Sequence, residues 1–117
     1  MNLPISKSSL SQRQIRLVEL SQEHPFCRIL GLRVRAGEPS FTPPPTIIQK
    51  LKIGADNAPR PEAALSDFWL KKQMIELLEI IGELGDGEIK TIEIVHGLPL
   101  LVEIERAATF DEGSSNA

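Results

Sequence analysis

Two similar stretches of this sequence determine its architecture. Residues 27–37 read Cys-Arg-Ile-Leu-Gly-Leu-Arg-Val-Arg-Ala-Gly, and residues 87–97 read Gly-Glu-Ile-Lys-Thr-Ile-Glu-Ile-Val-His-Gly. The first alternates from Gly31 onward, with Leu32 and Val34 on one face and Arg33 and Arg35 on the other, and the second also reads as a β-strand with isoleucines on its core face. Both end in a glycine that suits a tight hairpin turn. The sequence therefore predicts two β-hairpins, each with charged residues on its outward face.

A helix precedes the first hairpin. Apolar residues at helical spacing predict it over about residues 10–23. Two overlapping motifs, Ser9-x-x-Gln12 and Ser11-x-x-Gln14, both fit a capping box, in which serine and glutamine bond the free N–H groups of a helix start. Pro25 predicts the end of this helix, because proline disfavours helical backbone in the residue before it.

The second predicted helix carries more apolar surface than one buried face needs. It runs from a cap at Ser66 or Asp67 to Leu84, and Gly85 suits the position after a helix end. Its apolar stripe is wide, and Trp69 cannot share one face with both of its apolar neighbours. Excess apolar surface favours a partner chain, so we expect a homodimer through this helix. The candidate interface residues are Phe68, Trp69, Met74 and Ile80.

A third strand is expected after the first hairpin. The proline run at 42–45 cannot lie inside a sheet and should form an extended edge segment. Residues 46–53 then predict a strand, with three apolar side chains inward and two lysines outward. The inward set is Ile47, Leu51 and Ile53, and the outward pair is Lys50 and Lys52. The glycine and prolines of residues 54–62 predict a loop.

The two units resemble each other at a shift of sixty residues. Residues 10–41 align with 70–101 without a gap, and eight of the thirty-two pairs are identical. The matched positions are those of helix core, strand core and turn glycine, which predicts two diverged copies of one unit. Three pairs reverse charge: Arg16/Glu76, Arg28/Glu88 and Arg33/Glu93.

The expected fold class is α+β, in the order α-β-β-β-α-β-β, with two helices on one face of an antiparallel sheet. We expect a single domain over residues 9–106, with the first repeat at 10–54 and the second at 66–106. Residues 1–8 are expected to form a loose arm, and residues 107–117 a disordered tail.

Charge divides the chain in two. Residues 1–60 carry a net charge of +5 and residues 61–117 carry −8, which gives −3 overall. The basic strands and the acidic hairpin (Glu93, Glu103 and Glu105) are expected to pair, either within one chain or between chains. No apolar run is long enough for a membrane span, and the single cysteine excludes an intrachain disulfide. We therefore expect a cytoplasmic protein without membrane contact.

The favoured function is a non-enzymatic module that binds itself and another protein. The alternative is a nucleic-acid-binding domain, in which cations on the outward sheet face track phosphates. The net negative charge of the chain and the lack of aromatic residues beside these cations argue against that alternative. The candidate nucleic-acid residues are Arg33, Arg35, Lys50 and Lys52.

A small enzyme of unknown reaction is the third possibility. Cys27, His24 and His96 match no spacing of a thiol nucleophile or a zinc site. The glutamates of the two helices have the spacing of solvated helix faces, and these are Glu19, Glu23, Glu76, Glu79 and Glu83. The sequence therefore predicts no catalytic residue, no metal site and no cofactor.

Overall fold

The structure, a computed structural model, describes residues 5–59, 69–106 and 108. Within these residues the chain forms two α-helices and one five-stranded antiparallel sheet, which confirms the α+β class and the element order. A short 3-10 helix, Lys7–Ser9, precedes them. The elements are α1 (Gln12–Glu23), β1 (Cys27–Arg35), β2 (Glu38–Ser40), β3 (Thr46–Gln49), α2 (Lys72–Leu84), β4 (Gly87–Val95) and β5 (Leu98–Glu103).

The sheet is centred on the first strands of the two hairpins. Its order is β2-β1-β4-β5, and β3 pairs with β1 beside β2. In the central ladder Ile29 lies opposite Ile92 and Leu32 lies opposite Ile89, and all four side chains are fully buried. Residues of both helices pack into this same buried cluster, so α1 and α2 cover one face of the sheet.

The two hairpin turns are built alike. Ala36 and Gly37 have φ values of 52° and 75°, and His96 and Gly97 have 54° and 76°. The left-handed region suits glycine, which explains the glycine that ends each hairpin. The Gly37 amide donates to the carbonyl of Gly85 at 2.7 Å, after α2.

An equivalent hydrogen bond links the second hairpin turn to the segment after α1. The Gly97 amide donates to the carbonyl of Pro25 at 3.0 Å, after α1. Each hairpin turn is therefore hydrogen-bonded to the segment that follows the helix of the other unit. The two donor residues are sixty positions apart in sequence, and so are the two acceptor residues. Such agreement is the geometry that a duplication would give, while the duplication itself stays a prediction.

The start of α1 follows the prediction, and the start of α2 does not. Ser11 and Gln14 form the expected capping box. The second helix begins at Lys72, not near Ser66 or Asp67, which lie outside the described residues. Trp69 forms a β-bridge with Ser6, and the Leu70 amide donates to Ile5 at 2.7 Å. These long-range contacts hold residues 69–70 in extended backbone, so periodicity overestimated the helix.

The third strand is shorter than predicted. It ends at Gln49, which lies opposite the first residue of β1, Cys27, and one more backbone bond follows from the Lys50 amide to Phe26 at 2.8 Å. Leu51 and Ile53, expected to point inward, are exposed at 57% and 95%. The last strand likewise ends at Glu103, before residue 106, the expected end of the second repeat.

The two predicted termini are described in part. Residues 5–8 of the expected loose arm are held by the bonds to residues 69–70, and Lys7 is buried with its amine 3.5 Å from Glu19. The expected disordered tail, residues 107–117, lies outside the described residues apart from residue 108.

Candidate functional site

An apolar groove lies between α2 and the edge strand β5. It encloses about 250 Å³. Leu100 and Leu101 on its rim are 68% and 55% exposed. Among the described residues, β5 has a ladder partner on one side only. The groove is lined by Gln73, Glu76, Leu77, Ile80, Pro99, Leu100, Leu101 and Val102.

A β-bulge places two leucines side by side at this rim. Leu101 lies opposite Glu93 and Pro99 lies opposite Ile94, so Leu100 has no opposite residue. An extra residue of this kind bends an edge strand and redirects its side chains. Sequence reasoning missed these residues, although the uninterrupted run Leu98-Pro-Leu-Leu-Val102 departs from strand alternation and could have indicated an unusual edge.

Three uncompensated glutamates lie on α2 beside the groove. Glu76, Glu79 and Glu83 are exposed and follow one another at spacings of three and four residues. Within residues 5–59, 69–106 and 108, none of them forms an ion pair. Like charges at these spacings destabilise a helix. Of these three, Glu76 lines the groove, and Glu79 and Glu83 lie on the same helix outside its lining; the three together are the acidic rim beside an apolar floor.

The corresponding face of α1 is neutralised by its own chain. Nη1 of Arg16 lies 3.7 Å from Glu19 and 3.1 Å from Glu23. A second groove lies there, enclosing about 320 Å³. Its lining combines α1 with the segment that leads into β3, and the residues are Arg16, Leu20, Phe41, Pro44, Pro45 and Ile47.

The four predicted interface residues do not form one surface. Trp69 is 69% exposed and lies before α2 rather than on it. Ile80 lines the groove. Met74 was wrongly assigned to the surface, because it is buried in the core that both helices share. Phe68 lies outside the described residues.

The four predicted nucleic-acid residues are divided along β1. Arg33 lies opposite Glu88 towards the end of the strand, whereas Lys50 follows β3 beside the start of β1. Nζ of Lys50 donates to Glu93 at 2.6 Å, and this bond with its charge holds the pKa of Glu93 below its usual value. Arg35 and Lys52 are exposed. Two of the four cations therefore face carboxylates of β4, which weakens their attraction for phosphates.

The cysteine and the two histidines do not form a reactive site. Cys27 is fully buried, and burial raises the pKa of its thiol to about 11. A thiol with that pKa is protonated at neutral pH and is a poor nucleophile. The His96 ring stacks edge-on against Phe26, with centroids 4.9 Å apart. In the described part of the chain no group of three or more acidic, histidine or cysteine side chains is placed to hold a metal ion.

A rigid loop follows β3 on the other side of the sheet. The Asn57 side chain accepts from the Lys52 amide at 3.0 Å and donates to the carbonyls of Lys52 and Ala55. These bonds fix the loop that presents Leu51 and Ile53 to solvent. The loop thus exposes apolar side chains next to lysines.

Comparison with family models, with curated proteins and with solved structures finds no match to this chain. Among the described residues, no helix has the length and apolar content needed to cross a lipid bilayer.

Proposed function

We propose that this chain is a non-enzymatic protein-binding module and that its binding surface is the α2–β5 groove. The observation that carries the proposal is the exposure of Leu100 and Leu101 on an edge strand beside Ile80. Edge strands with apolar side chains tend to pair with other chains, and exposed apolar grooves often mark interaction sites. The unpaired glutamates of α2 add a polar rim, as protein interfaces usually have.

Self-association as a homodimer belongs to the same proposal but uses another residue. Trp69 is the exposed aromatic side chain closest to α2, and tryptophan is enriched where interfaces have their largest binding contributions. Its backbone is fixed by the bridge to Ser6, which lowers the entropy lost on binding.

The proposed groove is tested by selecting binding peptides. A random peptide library displayed on phage is panned against the full chain, and the selected peptides are measured against two variants. Leu101→Glu places a charge in the groove, and Leu51→Glu makes the same change at an almost equally exposed leucine outside it. We expect binding to fall at least about tenfold in Leu101→Glu and to persist in Leu51→Glu. Equal binding to both variants would contradict the groove assignment.

The homodimer is tested by light scattering after size exclusion. We expect a mass of two chains for the wild type and of one chain for Trp69→Ala, since a central aromatic anchor contributes about 2 kcal/mol or more. A monomeric wild type removes the dimer and leaves the groove proposal standing. Reading absorbance at two wavelengths in the same run also detects bound nucleic acid, which would favour the alternative function.

A further inference from the structure

The two grooves correspond, but among the described residues only the first has a third wall. Arg16, Leu20 and Phe41 line the first, and residues sixty positions later, Glu76, Ile80 and Leu101, line the second. In the first groove the chain itself supplies a further side. The residues on that side are Pro44, Pro45 and Ile47. None of the residues that line the second groove comes from such a segment.

The segment that covers the first groove continues as a strand. Residues 46–49 form β3 and pair with Cys27–Leu30 of β1, so this end of β1 has ladder partners on both edges. The corresponding part of β4 is Gly87–Lys90. It pairs with β1 on one edge, while β5 reaches only Thr91 on the other. Among the described residues, the outer edge of 87–90 therefore has no ladder partner, and beside it lies a side-chain bond from Nζ of Lys90 to Glu105 at 3.1 Å.

The charge of the second groove indicates the charge of what fills it. Arg16 compensates Glu19 and Glu23 on α1, whereas α2 has Glu76 at the corresponding position. Three neighbouring glutamates lower the stability of α2 and attract cations. A bound lysine or arginine would give α2 the compensation that Arg16 gives α1.

We infer that the α2–β5 groove takes an extended, basic segment of another protein, with proline and aliphatic residues next to lysine or arginine. This inference rests on the proposed protein-binding function. The segment lies against α2 as Pro44 and Pro45 lie against α1. It then runs along the free edge of β4 at Gly87–Lys90, where its backbone supplies the missing ladder bonds.

Two other occupants fit the charges less well. Residues 107–117 of this chain contain Asp111 and Glu112 and no lysine or arginine, so they are repelled by the rim. A two-fold contact with a second copy places the same glutamates on both sides of the interface. The basic loop of a second copy, at Lys50–Lys52, is held by Asn57 and cannot extend along β4.

The test uses peptides that copy the pattern of the chain's own covering segment, whose residues 42–49 read Thr-Pro-Pro-Pro-Thr-Ile-Ile-Gln. One blocked peptide is Lys-Pro-Pro-Pro-Lys-Ile-Ile-Lys, and its matched partner carries glutamate in place of each lysine. Binding to the full chain is followed by amide chemical shifts. We expect the lysine peptide to bind about tenfold more tightly at low salt, with the preference shrinking at high salt, and to shift the amides of α2, β5 and residues 87–90.

Two variants test whether the preference for the lysine peptide comes from the glutamates of α2. Glu76→Arg recreates the arrangement of Arg16 and should abolish the preference for lysine, while Asp56→Arg makes the same change of charge in the distant loop and should leave it. A lysine peptide N-methylated at its two isoleucines loses both of their amide donors, one of which would face β4, and we expect it to bind at least about threefold more weakly.

Each failure has a separate meaning. Equal affinity for lysine and glutamate peptides, or a preference that survives Glu76→Arg, overturns the basic segment while the groove stays a binding site. An N-methylated peptide that binds unchanged overturns the pairing with β4. If neither peptide shifts the groove amides, the inference is wrong, and the phage selection decides separately whether the groove binds protein at all.

Discussion

The helices α1 and α2 pack against the same core, and the segments that follow them bond to matching hairpin turns, yet their exposed faces differ. Arg16 of α1 bridges two glutamates, and a proline segment of the same chain forms one side of the groove beside it. On α2 the corresponding residue is Glu76, and among the described residues no such segment lines the groove beside it. Core positions of the two helices are similar, whereas Arg16 and Glu76 differ in charge, which is expected if one face contacts its own chain and the other serves a partner.

The largest expected effect tests whether the buried leucines of the two helices contribute similarly to the stability of the fold. Leu17 and Leu77 occupy matching core positions on the two helices and are almost completely buried. Leu17→Ala and Leu77→Ala should each lower the free energy of unfolding by about 2–5 kcal/mol, because each leaves a cavity. Urea denaturation measures both. The comparison fails if either substitution costs less than about 1 kcal/mol.

The helix starts should respond differently to substitution. Ser11 caps α1, so Ser11→Ala should cost about 1 kcal/mol of unfolding free energy. Lys71 at the same position of α2 makes no capping bond with its side chain, so Lys71→Ser should stabilise by about 0.5–1 kcal/mol. Thermal unfolding of the two variants gives the signs, and a destabilised Lys71→Ser would contradict the description of this helix start.

Exchanging the charge that distinguishes the helices should have a smaller effect. In Glu76→Arg the new guanidinium can bridge Glu79 and Glu83, and we expect α2 to gain about 0.3–0.5 kcal/mol for each pair at low salt. Glu76→Gln, the control, removes repulsion without adding a pair and should gain less. Arg16→Glu should destabilise α1. A Glu76→Arg variant that is less stable than Glu76→Gln would count against this account of the α2 face.

The smallest effect concerns the bond between Lys50 and Glu93, which joins the first unit to the second. Because the pKa of Glu93 is lowered in the folded chain, the bond adds stability above the usual carboxyl pKa of 4.5 and loses it as the pH falls through the lowered value. The stability difference between wild type and Glu93→Gln should therefore shrink on acidification. A constant difference from pH 7 to pH 3 would show that the bond contributes nothing.

Local signals predicted the elements whose contacts are local. The cap at Ser11, the turn glycines and the end of α2 at Gly85 each depend on a few neighbouring residues, and the structure confirms them. The start of α2 depends on bonds between residues 5–6 and 69–70, far apart in sequence, so helical periodicity carried the prediction too far.

The location of the candidate groove could not be predicted from the sequence, because it depends on which segments pack beside each helix. The charge reversal between Arg16 and Glu76 was visible from the sequence, but its consequence was not. Only the structure shows that Pro44 and Pro45 cover the groove of the first unit and that no described segment does so in the second. Likewise, Met74 fits an exposed apolar stripe by spacing, although it lies in the shared core.

Hydrogen exchange of the full chain tests the central claim, that β3 pairs with the start of β1 whereas the matching edge of β4 is left without a ladder partner. The amides of Cys27–Leu30 that face β3 should exchange slowly, whereas the amides of Gly87–Lys90 that point away from β1 should exchange fast and become protected when the lysine peptide is added. Slow exchange at 87–90 without peptide, or fast exchange that the peptide leaves unchanged, would contradict the claim.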